Sequence, residues 1–407
     1  MSIFRKSSKR IYLDYASATP VRKEVIKVME PFWSRTFGNA SAIHKEGVEV
    51  REAIETARRK LARLLHVKEE GVIFTGSGTE SNNIALFGTI ESRRRKGVAY
   101  EDMEIVSTRL EHPSVLEVLR HVEGWGIAIK YAEVDGDGLV IAESLESLIT
   151  PKTILVTFAY ANSEIGTVQH IGKLSRIARA SEKKFGSRIY VHTDAAQAPL
   201  WLSCELDKLG VDLLSLDAGK CCGPKGVGVL AFRHDVSLHS FMFGGSQEGG
   251  LRPGTENAAL IVGAVEALSI ALENYQQRSA KTEKLRDHFI KDLETVEGVV
   301  LNGSRGSRIA NNVNISIPGI DSEFAVISLD QQGIACSTKS ACGGAKGDGS
   351  AVVKAITNSD ERALSTIRFT LGEGTTQLEL AQAAQAVRSH TEKMLAFKAN
   401  LLQNSQK

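Results

Sequence analysis

The sequence predicts an α/β protein of two domains: a large one built on a mostly parallel sheet with helices on both faces, then a smaller α+β one. Three observations carry this. Seven short apolar runs alternate with segments of helical period, the pattern of crossover units around a parallel sheet. The alternation stops near residue 260, where a long helical stretch begins. The length, 407 residues, exceeds what one hydrophobic core usually organises.

The elements follow in order. After a basic tail, Ile11-Tyr-Leu-Asp14 is a short strand-like entry, and Pro20 to Trp33 carries apolar residues at helical spacing. Gly38-Asn-Ala-Ser41 breaks that pattern. From Gly47 to Leu65, the positions Val48, Ile54, Leu61, Leu64 and Leu65 among Glu and Arg define an amphipathic helix. Strands are expected at 72–75, 104–108, 127–132, 153–158, 189–193, 211–216 and 228–232, a seven-stranded sheet. A helix is expected over 258–293 with a break near Gln276, then strands at 312–317 and 366–370 and a last helix at 378–401. This places the large domain at 15–262 and the small one at 1–14 with 263–407.

Bulk composition excludes several function classes. Lys and Arg number 50 against 48 Asp and Glu, so there is no basic surplus for a nucleic-acid partner. The run Ser92-Arg-Arg-Arg-Lys96 reads as a solvated helix end. There is no apolar stretch of about 18 residues to enter a membrane, and Met1 to Arg10 lacks the apolar core of a signal peptide, so a cytoplasmic location is expected. The five cysteines (204, 221, 222, 336 and 342) are odd in number and suit a reducing compartment. With neither Cys-x-x-Cys nor His-Glu-x-x-His present, no metal site is expected.

The chemistry gathers at strand ends. Lys220 and Asp194 each close an apolar run, so both should emerge at the C-terminal edge of the sheet, where open α/β sheets bind ligands. A lysine able to form a Schiff base, opposite an aspartate able to keep a pyridinium nitrogen protonated, is the protein half of a pyridoxal 5'-phosphate (PLP) site. Val72-Ile-Phe-Thr-Gly-Ser-Gly78-Thr79 is a strand, a glycine-rich turn and a helix start, whose open N–H groups can take a phosphate. It lacks the Gly-x-x-x-x-Gly-Lys spacing of nucleotide-binding loops. His112 follows the strand at 104–108, where an imidazole can stack on a flat ring and move protons. Asn162-Ser163-Glu164 follows the strand at 153–158, and Gln197 stands three residues past Asp194, within reach of a ring hydroxyl.

Further motifs occur in order: Tyr12-Leu-Asp-Tyr-Ala-Ser-Ala-Thr-Pro20, Phe37-Gly-Asn39-Ala-Ser41, Asp194-Ala-Ala-Gln197, Gly223-Pro-Lys-Gly-Val-Gly228, Arg252-Pro-Gly-Thr255 and Ile367-Arg368-Phe-Thr-Leu-Gly372. With them the chain resembles the cysteine desulfurases of the NifS/IscS type, within the class V aminotransferases of PLP fold type I, from about Ile11 to Thr376. The resemblance implies a homodimer that converts L-cysteine to L-alanine and hands sulfur to an acceptor or iron-sulfur scaffold protein. It implies catalytic roles for Lys220, His112 and a loop nucleophile, Cys342. It also implies cofactor contacts from Asp194, Gln197, His112, Gly78, Thr79, Ser163 and, across a dimer, Thr255, with substrate contacts from Arg368 and Asn39. Glycine and small polar residues around Cys342 suit an exposed loop, whereas Cys336, Cys221 and Cys222 read as packing residues. The rival readings are a selenocysteine lyase, another class V aminotransferase or lyase, and a weakly active PLP-fold scaffold.

The chain departs from the resemblance in four places. Asp217-Ala218-Gly219 precedes Lys220 where the family has Ser-x-His holding the cofactor phosphate, and Ser163 replaces an asparagine. Lys339 stands for a glycine before Ser-Ala-Cys342, and Glu373 for an arginine. The carboxylate of Asp217 is expected to weaken anion binding, and restoring Ser at 217 or His at 219 to tighten it.

Overall fold

The protein is described here by a computed structural model covering residues 10–338 and 349–405. Cys342 and Lys339 lie outside the described residues. Seven strands form the main sheet: β1 Val72–Thr75, β2 Glu104–Ser107, β3 Ala128–Tyr131, β4 Thr153–Ala159, β5 Tyr190–Asp194, β6 Leu213–Asp217 and β7 Gly228–Phe232. Their order is β1-β7-β6-β5-β4-β2-β3. β7 runs antiparallel to both its neighbours, and the remaining pairings are parallel.

Successive side chains of a strand point to opposite faces, and each face here has its own core. Phe74, Val106, Val156 and Leu214 pack on one side with the helices Lys45–Leu65 and Ala258–Glu273. Ile73, Ile105, Leu155 and Leu213 pack on the other with Gly78–Arg95 and Pro113–Glu123. Burial on both faces explains why the strands read as unbroken apolar runs. The sheet thereby fixes the ends of β4, β5 and β6 side by side.

The long helical stretch breaks at Asn274, two residues before the expected position, and the halves Ala258–Glu273 and Tyr275–Glu294 meet at 70°. The first half carries Val265, Ala267, Leu268 and Ala271 into the large core. This helix therefore packs with the large core. The reason is side-chain size, since this alanine-rich stripe allows close approach to Lys23–Met29 and Lys45–Leu65. Among the described residues no single helix is long and apolar enough to cross a membrane.

The smaller body has an antiparallel sheet of β8 Val300–Leu301, β9 Asn312–Ser316 and β10 Thr366–Thr370, with β9 central. Ile11–Tyr12 pairs in parallel with Ile334–Ala335. Ile11 and Leu13 are buried in the smaller core, so the N-terminal strand ties to the C-terminal third of the chain. The next residues, Asp14 to Thr19, cross to the edge of the large sheet that bears Lys220.

Candidate active site

Asp194 ends β5, Asp217 ends β6, and Lys220 closes the single turn Ala218–Lys220 that follows. Parallel pairing of β5 and β6 brings these ends together. One cavity is lined by Lys220, Asp194, Gln197, His112, Ser163, Arg368, Gly78 and Thr79. Eight of the eleven site residues expected from sequence thus meet at one place.

The ring end of this cavity is held by a chain of hydrogen bonds. Asn82 Nδ2 donates to Asp194 Oδ2 at 2.8 Å and to Ser114 Oγ at 2.9 Å. Ser114 Oγ lies 2.8 Å from His112 Nδ1, which also accepts from the Ser114 N–H at 3.1 Å. An Nδ1 that accepts a backbone N–H leaves the ring proton on Nε2 in the neutral imidazole. The other Asp194 oxygen accepts from the Ala196 N–H at 3.0 Å. Asn82 and Ser114 were missed in the sequence reading. The signal for Asn82 is its spacing, one helical turn after Gly78 on the same face of Gly78–Arg95.

Glu111, also not anticipated, is buried against this end. Its Oε1 accepts from Thr108 Oγ1 at 2.7 Å, and Oε2 has no hydrogen-bond partner. Burial, with a smaller contribution from the Asp194 charge, pushes the Glu111 carboxyl up to about 8.

Lys220 Nζ donates to the carbonyls of Ala16 and Ser17 at 2.9 and 2.7 Å, and Gln197 Nε2 to Ala16 at 3.1 Å. The same N-terminal segment holds Arg368, whose side chain is 2% exposed. Arg368 Nη2 donates to Asp14 Oδ1 at 2.8 Å and Ser17 Oγ at 2.7 Å, and Nη1 to the Ser163 carbonyl at 2.9 Å. Ser163 therefore contacts Arg368 through its backbone. Beside it, Glu164 Oε2 accepts from Ser350 Oγ at 2.6 Å, and Ser350 caps the helix Ala351–Thr357. That contact ties the helix Ala351–Thr357 to the cavity wall.

At the opposite end stands the first turn of Gly78–Arg95. Gly78 N–H donates to Asp217 Oδ2 at 3.2 Å and Glu80 N–H to Ser77 Oγ at 3.2 Å, while Thr79 N–H has no acceptor among the described residues. A helix start with an open donor, aligned with a lysine and an aspartate across the cavity, fits a phosphorylated pyridine aldehyde.

Two of the remaining three are elsewhere. Asn39 sits on an exposed turn, its Oδ1 accepting from the Ser41 N–H at 2.9 Å, and does not line the cavity. Asn39 is held there because the turn caps itself before Lys45–Leu65. Thr255 is exposed and does not line the cavity. Cys342 lies outside the described residues. Of the other thiols, burial holds Cys336 up to about 12 and raises Cys221 well above the ordinary thiol range, so neither is poised as a thiolate. Glu373 is paired with Arg22 and Arg278, which hold it below the ordinary glutamate range against the opposing effect of burial. A surface trio of His66, Glu205 and Asp207 has metal-ligand spacing but shares no residue with the cavity.

The chain is similar to known proteins over most of its length. The model of the family described as aminotransferase class-V matches residues 11–382. The chain is 40% identical to the cysteine desulfurase IscS of Dictyoglomus turgidum over 95% of each chain. It is 38% identical to the cysteine desulfurase IscS of Neisseria meningitidis, over 94% of this chain and 93% of that one. A solved NifS-like protein superposes with a TM-score of 0.86 at 31% identity, covering 95% of this chain and all of the other.

Proposed function

The chain belongs to the class-V aminotransferase family, and on that premise we propose that it is a PLP-dependent cysteine desulfurase converting L-cysteine to L-alanine. The observation that carries the reading is the meeting of Lys220, Asp194, His112 and Arg368 in one cavity. When bound, the pyridoxal group supplies an aldehyde that captures amines and a ring that withdraws electrons. Lys220 is the amine that would hold it, Asp194 would face its ring nitrogen, Gln197 its ring hydroxyl, and Gly78 with Thr79 its phosphate.

The protein side of the reaction follows from the contacts. Arg368 presents a guanidinium for the substrate carboxylate, which would share it with Asp14. Lys220 and the Nε2 of His112 are the groups placed to move protons in the cavity. Cys342 supplies the nucleophile: its thiolate attacks the substrate sulfur, the carbon–sulfur bond breaks, a persulfide remains on Cys342 and alanine leaves. A homodimer places Thr255 at the partner subunit's cofactor. A cytoplasmic acceptor or iron-sulfur scaffold protein would take the sulfur.

The test is assay of the purified protein for cysteine-dependent alanine formation, with mass spectrometry of the Cys342 peptide. Wild type should gain one sulfur on that peptide. Cys342→Ser should bind cysteine, with the visible spectrum changing, yet form no persulfide and lose alanine formation at least a hundredfold. Persulfide on Cys221, Cys222 or Cys336, or full activity in Cys342→Ser, would sink the assignment.

A further inference from the structure

The phosphate end of the cavity already contains an anion. Asp217 Oδ2 accepts the Gly78 N–H at 3.2 Å, and Oδ1 accepts the Gly219 N–H at 2.8 Å. The side chain reaches that position because residue 78 has no Cβ; one added there would lie 3.2 Å from Asp217 Cβ. A carboxylate at a helix N-terminus is an electrostatic substitute for a phosphate.

Among the described residues Asp217 makes no salt bridge, and the nearby cations have other contacts. Lys220 is directed to the carbonyls of Ala16 and Ser17, and Lys225 Nζ to the carbonyl of Thr19 at 3.0 Å. Arg252, nearest to the turn from the other side, pairs with Glu80 at 3.1 Å, and Glu80 also accepts from the Gly76 N–H. Cys221 Sγ donates toward the Asp217 carbonyl. Asp194 shares the cavity and adds negative charge there. A dianionic phosphate brought against Asp217 therefore meets a second acceptor where a donor is needed, and two oxygens that both lack a proton repel.

We propose that Asp217 makes this a site for the singly protonated phosphate monoester, with the Asp217 carboxylate accepting the phosphate hydroxyl. The inference rests on the reading that the cavity takes PLP. A phosphate monoester loses its second proton near pH 6, so at neutral pH the ligand is mostly dianion. Binding then draws one proton from solvent. No other bond is made or broken in that step. Linkage fixes the sign: a complex that holds one more proton than its free components weakens about tenfold per pH unit as pH rises.

The test compares PLP binding to wild type, Asp217→Asn and Asp217→Ser, by calorimetry in buffers of different ionisation enthalpy and by titration from pH 7 to pH 9. Asn and Ser both donate to a dianion without titrating, and Asn keeps the acceptor for the Gly219 N–H. Wild type should take up about one proton more than either variant, and its dissociation constant should climb about tenfold more per pH unit. Pyridoxal, which lacks the phosphate, should show no such difference. Equal proton uptake and parallel pH slopes in all three proteins would overturn the role of Asp217 while leaving the cofactor reading intact. Failure of wild type and both variants to form a borohydride-reducible adduct with PLP at any pH would instead overturn the cofactor reading.

Discussion

The two ends of the cavity are built on opposite principles. At the ring end Asp194 and His112 are held by neutral donors: Asn82 and the Ala196 N–H on Asp194, Ser114 on His112. At the phosphate end the first donor of the helix is already spent on an internal carboxylate, Asp217. The first arrangement fixes geometry and leaves one catalytic surface open. The second makes the incoming ligand compete with the protein itself. The difference teaches that the ring and phosphate halves of one site can carry independent constraints, so perturbing one should leave the other readable.

The largest effect is expected at Lys220, where the two ends meet. Lys220→Ala should abolish the borohydride-reducible link to PLP, while the fold, whose cores exclude this side chain, stays intact by circular dichroism. Retention of both a reducible link and normal turnover would show that another amine holds the cofactor.

Next in size is Glu111, which tests the ring end alone. Its carboxyl is raised to about 8 in the folded protein against about 4.3 unfolded. Below pH 4 both states hold the proton and nothing is lost. As pH rises from about 4.5 to about 8 the unfolded chain ionises while the folded one does not, so stability falls across that window. The loss is on the order of 3–5 kcal/mol. Glu111→Gln should remove this slope, and denaturant melts of both proteins at pH 5 and pH 8 measure it. Parallel pH dependence in the two would mean that Glu111 is ionised in the fold.

A smaller effect separates Asp217 from its neighbour. Restoring His at 219 is expected from sequence to tighten cofactor binding, but a Cβ at Gly219 would stand 3.1 Å from Asp217 Oδ1 and 3.4 Å from Lys225 Cγ. The two positions form one turn in which Asp217 caps the Gly219 N–H. Gly219→His alone should therefore leave PLP affinity unchanged or lower. Gly219→His with Asp217→Ser should raise it about tenfold, one well-formed hydrogen bond. Additive gains from the single changes would refute the coupling.

The sheet and the strand-end residues were legible because their signal is local: apolar runs of strand length, and polar residues where each run stops. Lys220, Asp194 and His112 come from three such runs. Asp14 was not legible as the partner of Arg368, because 354 residues separate them and only the crossing of the N-terminal segment joins them. Periodicity is continuous through Ala258–Glu273, and only packing tells which core that helix serves. Glu373 looked like a lost arginine. It is the shared partner of two arginines, a relation that spacing cannot reveal.

The least effect is expected at Asn82, which joins the two catalytic groups of the ring end. Its amide donates to Asp194 and to Ser114, and Ser114 in turn sets the His112 ring. Asn82→Ala removes both donations from a buried site and should cost about 1–2 kcal/mol of stability. Because Asp194 keeps the Ala196 N–H, its carboxylate should stay in place, and PLP affinity should fall by no more than about tenfold. His112, losing the partner that orders Ser114, should show the change first, as a shift in the pH profile of alanine formation. The phosphate end shares none of these bonds, so the PLP-linked proton uptake attributed to Asp217 should be the same in Asn82→Ala as in wild type. A change in that uptake would mean the two ends are coupled.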